Sequence, residues 1–489
     1  MGVLENLEPK KVWTIFEQIC QVPHPSKKEG KIIEFLMNFA AENGLEAKKD
    51  ELGNILMIGE ATPGYENIPT VVLQAHMDMV CEKNNDTVHD FDNDPIVPWI
   101  DGDWVKAKGT TLGADDGMGV AAALALLTDK SVAHGKIEAL FTVDEETGLT
   151  GAYGLQPGFF TGKKLLNLDS EDEDIIFIGC SGGMDTVITY PFQTEPVAEG
   201  QFAVNVSVRG LQGGHSGGEI DKGRSNALKV LAAFLWDCIK EYGAKIATIS
   251  GGNLRNAIPR EADAVIVFDA KYKEAVRIAV NHYNASCASV CATLCAPTDP
   301  GINVDIQSVD VPTESMTAKC SIDLVNALLA CPHGVQSMSS SMPGLVESST
   351  NLASIKIIEG NKAYIQTSQR SAIDFQKKLI ARSVGAAFEI IGAEVQHGDG
   401  YPGWEPNPNS ELLKTVVESF KKVYNGKAPQ VTAIHAGLEC GLFLEKYPGM
   451  DMISTGPTLA GVHSPDEKCY IPSVERWYNF LKEVLVNIK

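Results

Sequence analysis

No apolar run in this sequence approaches the roughly 20 residues needed to cross a bilayer. The longest, around Val120 to Leu127, falls far short, and no membrane role is expected. Basic charge is scarce as well: 41 Lys and Arg stand against 63 Asp and Glu, a net charge of −22. That balance disfavours a phosphate-backbone partner, which would want a basic face, and argues against nucleic acid. The first residues, Met1-Gly2-Val3-Leu4-Glu5-Asn6, show neither a basic flank leading into an apolar run nor the Ser or Thr at position 6 that myristoylation wants. Cysteine is sparse and odd in number, 11 in 489 residues, which reads as reduced thiols of a cytoplasmic protein, not a disulfide framework. What remains is an ordinary soluble composition, long enough for two to four domains and a sizeable core.

Helical spacing opens the chain, with Val12, Ile15, Phe16 and Ile19 after Pro9, and then a helix from Ser26, with Glu29 completing a capping box, to Gly44. Short Val/Ile/Leu runs at 54–58, 70–74, 137–143 and 165–168, with a helix over 117–128, read as buried strands of an α/β sheet. From about residue 185 the texture alternates, as in Phe202-Ala203-Val204-Asn205-Val206-Ser207-Val208, which predicts a sheet wet on one face. The order β-α-β-β-α occurs twice, over about 202–296 and 303–397, and suggests an internal duplication. After Trp404 the α/β texture returns. The expected architecture is one α/β domain, 1–184 and 399–489, interrupted by a two-lobed α+β insertion, 185–398.

Five places in the α/β segments follow an apolar run with acidic or histidine side chains: His76 and Asp78, Asp115 and Asp116, Asp144-Glu145-Glu146, Asp169, and His463. Open α/β sheets place ligands at such strand ends. Residues two apart on a strand point the same way, so Asp78 suits the role of orienting a metal-bound His76. Two histidines and several carboxylates, without cysteine, form the donor set of a binuclear zinc, cobalt or manganese hydrolase. The missing His-Glu-x-x-His excludes the helix-borne mononuclear protease. Two metals need a shared carboxylate, a bound water whose pKa falls to about 7, and a spare carboxylate to take its proton. Of the adjacent Glu145 and Glu146, one can bind metal while the other stays free as general base. Any one of these acids alone would read as a solvated loop residue; their coincidence carries the argument.

The motifs Gln74-Ala75-His76-Met77-Asp78, Gly109-Thr110-Thr111-Leu112-Gly113-Ala114-Asp115-Asp116-Gly117, Glu145-Glu146, Leu168-Asp169-Ser170-Glu171 and His463 resemble those of the M20 family of di-zinc peptidases, and among them its dipeptidases. The likeness runs end to end, through the segments 213–219, 255–260 and 435–441. It implies a zinc-peptidase-like catalytic domain with an inserted lid. By the resemblance His76 and Asp169 hold one Zn2+, Glu146 and His463 the other, Asp115 bridges them, Glu145 is the general base and Asp78 supports His76. The family's lid histidine, which stabilises the oxyanion, matches His215; its Asn before Ile-Pro and a later Arg, which hold the substrate's end, match Asn256 and Arg370. The Asp115–Asp116 peptide is expected to be cis.

The implied activity is hydrolysis of unblocked dipeptides, Xaa-His among them, with Co2+ or Mn2+ as substitute metals. The nearest rival is a family deacylase of N-acyl amino acids, and a more distant one a non-catalytic metal-dependent binding protein. Monomer and homodimer both stay open. Cys287, Cys291 and Cys295 fall on one helical stripe with small apolar neighbours and read as buried thiols rather than a metal site.

Overall fold

Pro9 leads into a helix, Lys10–Cys20, whose apolar stripe Val12, Ile15, Phe16 and Ile19 is buried. The next helix runs Gly30–Asn43 and closes on Gly44 in the left-handed conformation. It starts at Gly30, not at Ser26, and no capping box forms. Ser26 Oγ donates to Asp78 Oδ2 at 2.8 Å, while Glu29 Oε1 accepts from the amides of Lys27 and Asp144. Tertiary partners here displace the local cap that the sequence pattern offers.

The computed structural model describes residues 2–294 and 298–489, without the side chains of 288–294. The chain divides into two units, Met1–Cys180 with Trp404–Ala433 and Leu438–Lys489, and Ser181–Gly403 with Ile434–Gly437. The first is built on an eight-stranded mixed sheet in the order Glu46–Lys49, Ile55–Gly59, Ile137–Thr142, Val71–His76, Lys164–Asn167, Asp451–Ser454, Ile175–Cys180, Gln430–Ile434. The four strands from Ile137–Thr142 to Asp451–Ser454 run parallel. Val71–His76 and Ile137–Thr142 are buried at every position, which explains their continuous apolar reading. The helix Ala114–Thr128 is buried from Asp116 through Leu127.

The second unit carries a nine-stranded sheet. Its main path is Asn303–Ser308, Gln201–Arg209, Ala262–Asp269, Lys245–Gly251, Val346–Ile358, Lys362–Ser371, Gly182–Pro191, Glu394–His397, and Gly334–Met338 pairs with Val346–Ile358. The path is symmetric about the join between Lys245–Gly251 and Val346–Ile358. Each half has the order β-α-β-β-α-β, but strand 303–308 pairs with 201–209, Val206 opposite Ile306, and so closes the first half instead of opening the second. Gly182–Pro191 opens the second half, pairing with Lys362–Ser371. The linear order reads almost the same either way; only long-range pairing tells the two divisions apart. One core joins the halves, with Leu231, Ile246 and Phe268 in the same cluster as Leu324, Ile365 and Phe388. Of the cysteine stripe, Cys287 is half-buried rather than enclosed, and the side chains of Cys291 and Cys295 lie outside the described residues.

Candidate active site

Strands Ile137–Thr142, Val71–His76 and Lys164–Asn167 are parallel neighbours, with His76 opposite Thr142 and Gln74 opposite Asn167. Their carboxyl ends stop at one level. The residues just beyond them, Asp78, Asp144 to Glu146 and Asp169, therefore gather with His76 along one edge, where open α/β sheets collect ligands. Asp115 joins them from the start of helix Ala114–Thr128, and its bond to Asp116 is cis, as expected. His463 comes from the loop after Leu459–Ala460 and holds φ at 59°. Asp144, at φ 50°, is likewise left-handed. Such backbone outliers persist where surrounding structure over-determines them, and they cluster at functional sites.

Asp115 stands between the two imidazoles. Its Oδ1 lies 3.2 Å from His76 Nε2 and its Oδ2 3.0 Å from His463 Nε2. Asp169 Oδ1 is 3.6 Å from the same Nε2 of His76, and Glu146 Oε2 is 3.1 Å from the Nε2 of His463. Two ligand-like clusters result, His76–Asp115–Asp169 and Asp115–Glu146–His463, sharing Asp115. The other nitrogen of His76, Nδ1, faces Asp78, 3.0 Å from its carbonyl and 3.4 Å from Oδ1. Asp78 also accepts from the amides of Glu145 and Glu146, so one carboxylate orients the histidine and the Glu-Glu turn together. The carboxylate of Glu145 lies within ligand distance of His76 and Glu146 but takes no hydrogen bond among the described residues.

Electrostatics show what this arrangement asks for. Burial alone would lower the imidazole of His76, yet Asp169, Asp115 and Asp78 hold it well above the usual histidine range. Hydrogen bonds to Asp115 and Glu146 push His463 up to about 11. Burial would raise Asp115, but the two imidazoles keep it well below the carboxylate range. Glu145 moves the opposite way: burial, with Asp169, Glu439 and Glu146 nearby, outweighs the attraction of His76 and pushes it well above. Four carboxylates in this space repel one another by about 1–4 kcal/mol per close pair at effective dielectric constants of 80 to 20. Two imidazoles compensate at most two of those charges, and divalent cations fill that electrostatic role better. Glu146 Oε1 is buried with no hydrogen-bond partner among the described residues, as expected of an atom kept for a metal. The residues fit a pair of metal ions.

Several supporting residues carried no separate signal. Ser26, disguised as a helix cap, donates to Asp78. Beneath His76, Asn167 Nδ2 donates to Gln74 Oε1 at 2.6 Å, and Gln74 Nε2 and Thr142 Oγ1 donate to the fully buried Glu439, at 2.5 and 2.8 Å. The acids Glu29, Asp78 and Asp144 also converge, but hydrogen bonds already occupy all three; Thr147 and Thr150 hold the Asp144 carboxylate.

His215, Asn256 and Arg370 belong to the second unit. His215 pairs with Ala257 in a two-residue ladder, and Ser216 N donates to Asn256 O at 2.7 Å. The amide of Gly218 donates to His215 Nδ1 at 3.1 Å. Burial and Arg370 lower the ring's pKa, so the neutral imidazole carries its proton on Nε2, which is left as a donor. Arg370 is 8% exposed on strand Lys362–Ser371, not a salt-bridged surface residue. Its Nη1 donates to Tyr401 Oη at 3.3 Å, and its Nε has no partner among the described residues. Arg370 and the exposed Asn256 line one cavity of about 510 Å³. His435 stands close by, with Nε2 2.7 Å from Ser349 Oγ.

A strand-end histidine and a loop-borne histidine that meet across one shared carboxylate form a hydrolase geometry, and the chain belongs to peptidase family M20/M25/M40, whose model matches residues 72–487. It is 42% identical over 488 residues to the cytosol non-specific dipeptidase of Escherichia coli, spanning 100% of this chain and 99% of that one. The crystal structure of aminoacylhistidine dipeptidase from Vibrio alginolyticus superposes with a TM-score of 0.90 at 40% identity, covering 99% and 98% of the two chains. An aminopeptidase of Bacillus cereus shares the fold, with a TM-score of 0.57 at 17% identity over 99% of both chains.

Proposed function

We propose that this chain is a cytoplasmic dipeptidase that hydrolyses the peptide bond of unblocked dipeptides, Xaa-His included, at a pair of Zn2+ ions for which Co2+ or Mn2+ can substitute. One observation carries the reading: Asp115 presents one oxygen to each of two histidines, while Glu145 stays unbonded beside them. The two full-length relatives with dipeptidase names support the substrate class. The first unit is then the catalytic domain and the second the lid.

In this reading His76 and Asp169 hold one ion, Glu146 and His463 the other, and Asp115 both. The ions supply Lewis acidity, polarising the scissile carbonyl and making water a nucleophile near neutral pH. Glu145 takes the attacking water's proton on its carboxylate and returns it to the leaving amine, a task matched by its raised pKa. His215 donates Nε2–H to the developing oxyanion. Arg370 and Asn256 hold the substrate's carboxylate end, which favours dipeptides over longer chains.

The test compares a free dipeptide with its N-acetylated form, using protein stripped of metal and then given zinc. Zinc-dependent hydrolysis of the free dipeptide alone is the expected result. Preference for the acetylated form would instead make the protein a deacylase, and zinc binding without hydrolysis would make it a binding protein.

A further inference from the structure

Glu467 is 2% exposed, and among the described residues no lysine or arginine pairs with it. Its carboxylate is instead filled by four successive backbone amides. Oε2 accepts from Leu112 at 2.8 Å and Gly113 at 3.2 Å, and Oε1 from Ala114 at 2.8 Å and Asp115 at 3.4 Å. Gly113 makes this possible: at φ 71° it turns consecutive N–H groups to one side, and a Cβ there would meet Met79 Sδ at 2.9 Å. The concavity opens at the N-terminus of helix Ala114–Thr128, where a negative group is favoured. An internal carboxylate thus occupies what elsewhere serves as an anion site.

The other end of the contact is equally constrained. Glu467 N donates to Ser464 O at 3.0 Å, and Ser464 Oγ donates to Gly461 O at 2.6 Å. His463 sits inside this short, closed loop. One side chain therefore fastens the loop that carries His463 to the loop that carries Asp115, whose side chains meet at 3.0 Å.

We propose that Glu467 is a positioning residue that sets the separation of Asp115 and His463 and thereby the affinity for the metal ion they share. The inference rests on the two-metal reading above. It asks for a carboxylate in particular. Four N–H donors match the lone pairs of an acceptor-only group, whereas glutamine offers one acceptor oxygen and turns an NH2 toward the remaining donors.

The test is a zinc titration of metal-free protein against a competing chelator. Wild type takes up two ions, and Glu467→Gln holds at least one of them 10–100-fold more weakly. Far-UV circular dichroism and KM stay unchanged, and kcat recovers as zinc is raised; a merely structural role would give neither the affinity split nor the recovery. Two ions bound to the variant with wild-type affinity would overturn this inference and leave the two-metal reading intact. Failure of the wild type to bind two ions would remove both. Should Glu467→Gln not fold, amide hydrogen exchange on the metal-free wild type decides. Protection at 112–115 supports the clamp, and exchange at open-loop rates there refutes it.

Discussion

The two units treat charge in opposite ways. In the first, the candidate ligands are mostly acids on backbone that is already fixed: Asp78 accepts from Ser26 and from the amides of Glu145 and Glu146, and the amide of Asp115 donates to Glu467. In the second, the candidate residues themselves, His215, Asn256 and Arg370, are neutral or cationic, although Glu219 accepts from the amide of His215 and Asp185 lines the cavity beside Arg370. His215 and His435 have lowered pKa values, with Arg370 contributing to both shifts, and Arg370 Nε lacks a partner among the described residues. An over-acidic, pre-organised set calls for cations. A set of unpaired donors calls for an anion, such as a substrate carboxylate or an oxyanion. The contrast predicts that damage to the first set shows in metal content or proton transfer, and damage to the second in substrate and transition-state binding.

Glu145 tests the contrast most severely, because in the proposed reading it lies among the ligands as the proton acceptor and holds no metal. Glu145→Ala should lower kcat by about 10²–10⁴ while leaving two zinc ions bound. Metal analysis alongside turnover decides this; loss of an ion would mean that Glu145 and Glu146 have exchanged roles. His215→Ala should lower kcat by about 10²–10³, with zinc content and folding unchanged and KM moving less. Unchanged kcat at saturating dipeptide would reduce His215 to a turn residue satisfied by Gly218. Arg370→Gln should raise KM about 10–100-fold for a dipeptide, the equivalent of losing a hydrogen-bonded ion pair, but hardly at all for the dipeptide amide, which lacks the carboxylate. Equal losses on both substrates would place the effect in folding.

Much of this was legible because the first unit's chemistry follows its strands. His76, Glu145, Glu146 and Asp169 lie within a few residues of apolar runs that do form parallel strands, and a strand end is a local signal. The supporting residues are not local. Ser26 has the local pattern of a helix cap, but its hydroxyl donates to Asp78, which is 52 residues away in the chain. Glu467 reaches residues 352 to 355 positions earlier in the chain. His435 lies in a segment whose one signal is its likeness to the family, and nothing in its neighbours announces Ser349. The misplaced strand 303–308 has the same cause, since register between distant strands is set by pairing and not by pattern.

The smallest effect concerns the second unit's neutral imidazoles as folding elements. His333 accepts at Nδ1 from the amide of Leu352 at 3.3 Å, and burial, with Lys229 nearby, pushes its pKa down to about 4. His435 is pushed down to about 3 by burial, Arg370 and His215. Unfolded histidine takes its proton near 6.5. Above that pH neither state is protonated, and these rings add no pH dependence. Below it only the unfolded chain binds the protons, so stability falls as pH drops from about 6.5 toward 4, by up to about 1.4 kcal/mol per pH unit for each ring. Asn at position 333 keeps an acceptor but cannot titrate. In urea unfolding of metal-free protein, His333→Asn should therefore lose less stability than wild type between pH 7 and pH 5, by about 2 kcal/mol. Equal losses would show that the His333 ring takes up its proton in the fold as readily as in the unfolded chain, and that the second unit does not hold its histidines neutral as a set.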